Sequence, residues 1–356
     1  MKRRYRAALL VGGLALAAVL APVAYIEGTC GRSEPRARAD GAPSLLAPDE
    51  RRPEARTWLT YPEWHIVYSA ESFGAHLAAG QPPSHYPYGA DIAAFWRAAC
   101  AVNRVTDGLP GASDAKVMIY TIGISYSAEL AIKAAWERTI GRFSQWFDGH
   151  GSADDRYAAL VQQRYAAFMH QTPWYQFPFG AALAGLWRTD EPHWIARHWE
   201  RRVALSLEYG VKAAYARLIG WASGATLGRD ELTLRFVARG APRRIAAVDR
   251  RLKPLRTAPG GLTVVEAPRY AEFTDLLRKL AAARVELVEI AGNDEIFLTA
   301  LVRGNRPDGG NRLFAMDLGD RPGWRRVGLT VKVRDLLPAI RAIEAGGGQI
   351  EHVYDY

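Results

Sequence analysis

The sequence predicts an α+β protein made of an N-terminal transmembrane anchor, an irregular aromatic-rich helical bundle and a split βαβ domain. Three observations predict this class. Residues 7–26 carry no charge, the next part of the chain has helical spacing of apolar residues, and short alternating segments begin after Gly228. The predicted boundaries are 1–27 for the anchor (or a signal peptide), 28–56 for a linker, 57–225 for the helical domain and 230–356 for the α/β domain.

Length and composition restrict the function classes. With 356 residues, 49% of them hydrophobic, the chain is neither a mini-protein nor disordered along its length. Seven of the 46 Lys+Arg residues are lysine, which leaves 39 arginines, a usage typical of a GC-rich bacterial genome. The net charge of +9 is scattered, with Arg197, Arg201 and Arg202 interleaved with Glu200 and Glu208. This pattern predicts a solvated surface next to a membrane and no nucleic-acid partner.

The anchor follows four basic residues, Lys2, Arg3, Arg4 and Arg6. Twenty helical residues at ~1.5 Å each span ~30 Å, which is one hydrocarbon thickness. The alternative is a cleaved secretory signal, whose best cleavage site, after Ala21, would place Pro22 next to the cut bond. The basic residues predict a cytoplasmic N-terminus, and hence a single-pass protein of the inner (cytoplasmic) membrane with its globular part in the periplasm.

The two cysteines, Cys30 and Cys100, leave several states open. They could pair with each other, or Cys30 could bridge two chains, if the folded part is periplasmic. Cys100 lies in an apolar Ala-Ala-Cys-Ala stretch, which favours a buried free thiol.

The helical domain is predicted from caps and terminators. Five helices are expected, ending at Gly, Asp-Gly or Pro signals, over 62–77, 89–105, 113–147, 154–170 and 189–221. Ten of the eleven tryptophans lie in this part of the chain. They indicate a membrane interface or an aromatic-walled pocket, or an ordinary aromatic core. The loop over 171–179 predicts an exposed apolar surface, with Trp174, Tyr175 and Phe177 as binding residues.

The C-terminal part alternates strands with two helices. Strands are expected over 232–237, 262–265, 285–290, 295–302, 313–318, 327–333 and 349–354, with helices over 270–284 and 335–344. This order is similar to a ferredoxin-like α+β domain with extra strands. The tail, RVGLTVKVRDLLPAIRAIEAGGGQIEHVYDY, also resembles one half-module of the glyoxalase/dioxygenase superfamily over about thirty residues. That superfamily binds metal through His and Glu on strands. Because His352 is the one histidine in the C-terminal part of this chain, the resemblance does not carry over a metal site.

The candidate acid–base residues are Glu63, His65, Glu129 and His170. Glu63 and His65 are two apart on one helix, so each needs a partner from another element. Trp64 and Tyr68 flank them as candidate ligand-binding residues. The alternative for a lone helical histidine is a structural role.

A second candidate group is Ser125, Glu129 and Lys133, spaced i, i+4, i+8 on one helix face within apolar surroundings. Ser125 and Lys133 are its candidate ligand- or partner-binding residues. Glu208 and Lys212 repeat the i,i+4 pair on the last helix. Such pairs form a solvated stripe or, if buried, a polar centre inside the bundle. Gly123-Ile-Ser-Tyr-Ser127 is not a hydrolase elbow, because it lies in a helix and ends in serine.

The chain shows no nucleotide-binding, di-iron or zinc motif, so no cofactor and no metal are expected. The favoured function is a non-catalytic accessory, assembly or ligand-binding protein that binds a protein partner or an apolar ligand at the membrane surface. The alternative is a membrane-associated enzyme that uses Glu63, His65, Glu129 and His170 on a lipid-like or aromatic substrate.

Overall fold

The structure is a computed structural model, and it confirms the α+β class. It describes residues 13, 17, 20–31, 44–52, 58–109, 112–170, 172–189, 195–222, 233–304, 310–319 and 321–354. The helices of the helical domain are α1 (Tyr61–Ala78), α2 (Tyr88–Thr106), α3 (Ala112–Trp136), α4 (Arg142–Asp148), α5 (Ala153–Met169), α6 (Phe179–Leu186) and α7 (Ile195–Ala222). A π-helical turn, Glu137–Gly141, joins α3 to α4 without a break. The predicted third helix is therefore one continuous rod with a single irregular turn.

The C-terminal part contains two four-stranded antiparallel sheets instead of one. Its elements are β1 (Thr233–Arg239), α8 (Pro242–Ala246), β2 (Lys253–Ala258), β3 (Leu262–Pro268), α9 (Ala271–Ala282), β4 (Glu286–Ile290), β5 (Glu295–Arg303), β6 (Asn311–Asp317), β7 (Trp324–Lys332), α10 (Val333–Ala345) and β8 (Gln349–Tyr354). The strand orders are β2-β3-β1-β4 and β6-β7-β5-β8. Each sheet thus repeats one arrangement, in which the third strand inserts beside the first and the fourth closes the other edge.

The two sheets share one apolar core with α9 and α10. Both helices have a strongly one-sided apolar pattern, with Leu276 and Leu280 buried on α9 and Leu336 and Ile340 buried on α10. The central strand β5 is almost entirely buried because it has α10 on one face and the helical domain on the other.

Part of the predicted linker is an ordered strap on the outer face of the first sheet. Leu46 packs with Val237 and Val264. The Glu289 carboxylate accepts hydrogen bonds from the backbone N–H groups of residues 45 and 46 at 3.0 Å. Glu50 pairs with Arg256 at 2.6 Å. Residues 44–52 of the predicted linker are therefore ordered against the first sheet, where they satisfy polar groups of the sheet surface.

A disulfide joins Cys30 to Cys100, so the prediction of a buried free thiol is wrong. Residues 20–29 are helical, and the bond holds the end of this segment against α2. The Asn103 side chain donates a hydrogen bond to the Cys30 carbonyl at 2.7 Å. The apolar surroundings of Cys100 are real, but they enclose a cystine.

The predicted anchor can be compared with the structure only in part. Residues 7–12, 14–16, 18 and 19 lie outside the described residues. Within the described part of the chain, no helix is at once long enough and apolar enough to cross a bilayer.

Helix α1 connects the helical domain to the second sheet. Tyr61 is fully buried, and its ring meets those of Phe297 and Tyr354 at centroid distances of 5.8 Å each. The two parts of the molecule therefore share an aromatic junction at this sheet face.

Candidate functional site

Two ion pairs that the sequence places on separate helices meet in one cluster. Helices α3 and α7 run antiparallel side by side. Lys133 Nζ lies 2.7 Å from Glu208, and Lys212 Nζ lies 2.8 Å from Glu129. Each lysine also approaches the acid on its own helix. Of the two predicted alternatives, the polar centre describes this cluster better than a solvated stripe, because both lysines are largely buried.

The charged residues continue along the same helix pair. Arg201 bonds Glu137 of the π-turn at 2.8 Å and Glu200 at 2.5 Å. Arg197 has no exposed side-chain surface and bonds Glu200 at 2.8 Å and Asp155 of α5 at 2.6 Å. The prediction of a solvated arginine surface is therefore wrong here, because these arginines face inward and are paired.

We call this set the charged column. It ends beside the start of α7, where His198 Nδ1 lies 2.6 Å from Asp154 and the Thr189 hydroxyl donates to the same carboxylate. Its ionic members are Glu129, Lys133, Glu137, Asp154, Asp155, Arg197, His198, Glu200, Arg201, Glu208 and Lys212.

A cavity of about 440 Å³ opens beside the charged column, between α1, α5 and α7. Phe73, Leu77 and Leu205 give it apolar walls. Lys133 lies over the Phe73 ring at 5.1 Å. Glu137 also lines the cavity, and its Oε2 has no hydrogen-bond partner among the described residues although the side chain is buried. A volume of this size suits a small organic ligand.

His65 belongs to a separate buried network. Its Nε2 lies 3.2 Å from Asp91, and the same carboxylate accepts hydrogen bonds from Ser69 at 2.5 Å and Tyr86 at 2.8 Å. The Tyr126 hydroxyl donates to Ser69 at 2.7 Å. Burial alone would raise the pKa of Asp91, but the hydrogen bonds from His65, Ser69 and Tyr86 together lower it. Asp91 is the partner that sequence reasoning missed, since it lies on another helix.

The structure does not bring the four candidate acid–base residues together. His65 bonds Asp91, Glu129 belongs to the charged column, and His170 pairs with Glu71 at 2.5 Å. The hydrogen bond to Glu71 raises the pKa of His170. Glu63 is half-buried two residues before His65. His65, Glu129 and His170 have different ion-pair partners in the described part of the chain, so these three do not form one catalytic constellation.

Trp64 and Tyr68 lie at the junction with the second sheet. The Trp64 ring stacks on His352 with centroids 3.9 Å apart, and burial lowers the pKa of His352 to about 3. The Arg326 guanidinium lies 4.2 Å above the Tyr68 ring and is paired with Glu351. Both predicted ligand-binding residues are therefore part of interdomain packing.

The predicted aromatic loop is packed, not exposed. Trp174 is half-buried against Tyr215 with centroids 5.4 Å apart, and Phe177 meets Tyr165 at 5.1 Å. Tyr175 is half-buried beside Trp174. The expectation of an exposed loop is wrong for these side chains, because Phe177 packs on α5 and Trp174 packs on α7. Ser125, by contrast, is exposed on α3.

Within the described ranges, no group of three or more His, Cys, Asp or Glu side chains is arranged to hold a metal ion. Comparison with known proteins gives no match to a family model, a curated protein or a solved structure.

Proposed function

We propose that the protein is a membrane-anchored binding protein that holds a small amphipathic ligand in the cavity beside the charged column. The observation that carries this proposal is Glu137, which lines a cavity with apolar walls and has a buried Oε2, beside Gly141, without a hydrogen-bond partner among the described residues. A buried acceptor without a partner costs about 1–3 kcal/mol, and a ligand donor would remove that cost.

The charge balance favours a ligand with a cationic or hydrogen-bond-donating head. The charged column has six carboxylates against the permanent cations of two lysines and two arginines, with His198 as the remaining member. The acid beside the cavity, Glu137, shares Arg201 with Glu200. An apolar or aromatic body would lie on Phe73 and Leu205.

The location belongs to the same proposal. Residues 7–26 would anchor the chain in the inner membrane as a single span. The Cys30–Cys100 disulfide supports a periplasmic position for the folded part, since such bonds persist in oxidising compartments. We also propose that each four-stranded sheet is a ferredoxin-like unit, the second lacking its first helix, because both have the split βαβ strand order.

The enzyme alternative has weaker support. His65, Glu129 and His170 pair with three different residues, and His65 is buried among aromatic rings such as Phe95, 5.8 Å away between centroids. A protein partner is the other alternative, and the same experiment distinguishes it.

The test is native mass spectrometry of the full-length protein in mild detergent, compared with the denatured chain. We expect a small-molecule adduct that is lost on denaturation. Ala159→Phe, which fills the cavity, abolishes the adduct, and Glu137→Gln weakens it. Ala167→Phe, exposed on the same helix, is the matched control.

A wild-type protein without a small-molecule adduct would contradict the proposal, as would an adduct that survives Ala159→Phe. A reproducible protein adduct in its place would favour the accessory role.

A further inference from the structure

The outward face of α7 is apolar along the length of the helix. Large apolar side chains recur at about every fourth residue, and all of them are exposed: Ile195, Trp199, Val203, Leu207, Val211, Tyr215 and Leu218. The charged residues Arg197, Glu200 and Arg201 lie on the opposite, buried side. This is the reverse of a water-facing helix, whose apolar stripe turns inward.

Helix α3 has the same inverted polarity. Val117, Met118 and Ile132 are exposed, and Ile132 retains 70% of its surface. Lys133 is turned toward α7, and Glu129 lies at the edge of the contact between α3 and α7. From residue 117 to 135 no fully exposed position carries a charge, and the Glu129 side chain, paired with Lys212, keeps 42% of its surface. This stretch is roughly 27 Å long at ~1.5 Å per residue.

The hydroxyl groups on this outward face are satisfied within the helix. Thr121 donates to the Val117 carbonyl and Ser125 to the Thr121 carbonyl, each at 2.9 Å. Ser125, predicted as a binding residue, therefore has its donor occupied. Hydroxyls bonded to their own backbone need no water, as is required of side chains in hydrocarbon.

Both ends of the α3 face carry features of a membrane boundary. At the α4 end, exposed Phe143, Trp146 and Phe147 form an aromatic cluster next to exposed Arg142. Aromatic and basic side chains mark membrane–water interfaces. At the other end, Glu27 bonds Lys116. The uncharged stretch 7–26 therefore ends beside the first turns of α3.

We propose that the outward faces of α3, α4 and α7 contact the hydrocarbon of the lipid bilayer. Polar residues of membrane-embedded helices face the protein interior and pair there, as the charged column does. Lipid fits better than a protein partner because the apolar face is bounded by an aromatic and arginine border and continues toward the uncharged N-terminal stretch. The proposal does not depend on a ligand in the cavity.

The test uses spin labels on the full-length protein, with its disulfide intact, in phosphatidylcholine vesicles. Single cysteines replace Ile132 and Val211 on the outward faces. Leu255→Cys, at an exposed apolar position on the first sheet, is the matched control. Collisions with oxygen report lipid, whereas collisions with a water-soluble nickel chelate report water.

We expect the labels at 132 and 211 to relax faster with oxygen than with nickel, and the label at 255 to show the reverse. Faster relaxation with nickel at 132 and 211 would overturn the proposal. Protection from both reagents at those sites would also overturn it and would indicate a protein-covered face. Because neither readout involves a cavity ligand, a failure here is separate from a failure of the proposed function.

Discussion

Replacing Arg197 removes a fully buried charge from the charged column. The wild-type guanidinium bonds Asp155 at 2.6 Å and 3.1 Å, and Glu200 at 2.8 Å. In Arg197→Met, Asp155 would lose its guanidinium partner, and Glu200 would keep Arg201 together with hydrogen bonds from Trp136 and Ser144. Breaking one side of a buried ion pair costs about 3–5 kcal/mol, so we expect a loss of that size in the free energy of unfolding.

The assay is urea unfolding of the full-length protein in mild detergent, followed by near-ultraviolet circular dichroism of the tryptophans. Arg217→Met, exposed on the same helix, should change stability by less than about 0.5 kcal/mol. Adding Glu200→Gln to Arg197→Met should recover part of the loss, with a coupling above about 1 kcal/mol. A cost for Arg197→Met no larger than for Arg217→Met would refute the reasoning.

Three further predictions concern packing, redox state and pH. Gly123→Ala should lower the free energy of unfolding by about 1–3 kcal/mol, because the added Cβ would lie 2.4 Å from a phenylalanine ring of α2. An unchanged melting temperature would contradict this prediction. The Cys30–Cys100 disulfide links residues that are 70 positions apart in the sequence. Its reduction should lower the free energy of unfolding by about 4 kcal/mol, because the unfolded chain gains conformational entropy. Unfolding measured with and without reductant checks this prediction. The pKa of His170 is raised in the folded state. The ion pair with Glu71 therefore stabilises the folded protein fully at a pH below the unfolded-state pKa of about 6.5. This stabilisation is lost as the pH rises through the folded-state pKa of His170. Glu71→Gln should therefore lower the free energy of unfolding at about pH 5 and leave it nearly unchanged at about pH 9. An equal loss of stability at both pH values would contradict a charged His170–Glu71 pair.

Most helices of the helical domain were predictable because local signals define them, whereas α6 (Phe179–Leu186) was missed. The fourth predicted helix was expected to begin at 154, and the corresponding α5 begins at Ala153 after the Ser152 cap, whose hydroxyl accepts from the backbone N–H of Asp155. The end of the third helix near Gly149 follows from its positive φ of 79°. These signals act within a few residues, so sequence spacing reveals them.

The sheets were harder to predict because part of their pattern is unusual. β2 is an edge strand with mostly exposed residues and a proline, so it shows no apolar alternation. The pairing of β2 with β3 depends on backbone hydrogen bonds, and the spacing of apolar residues in the sequence does not reveal them.

The site was predictable in pieces but not as a whole. The pairs Glu129–Lys133 and Glu208–Lys212 were visible in the sequence, but their meeting depends on the register of two distant helices. The rest of the charged column was misinterpreted as a solvated surface. The signal that could have found it is the apolar repeat of α7, which lies opposite Arg197 and its neighbours. That repeat shows that the charges face inward.

The most direct measurement is tryptophan fluorescence of the full-length protein in vesicles of brominated and unbrominated phosphatidylcholine. The uncharged stretch 7–26 contains no tryptophan, so its insertion alone would leave the emission unchanged. Trp146 and Trp199 retain 78% and 54% of their surface on the outward faces. We predict lower emission in the brominated vesicles and a much smaller difference for the variant Trp146→Phe, Trp199→Phe. Equal emission of the wild-type protein in the two lipids would contradict a bilayer-facing helical domain.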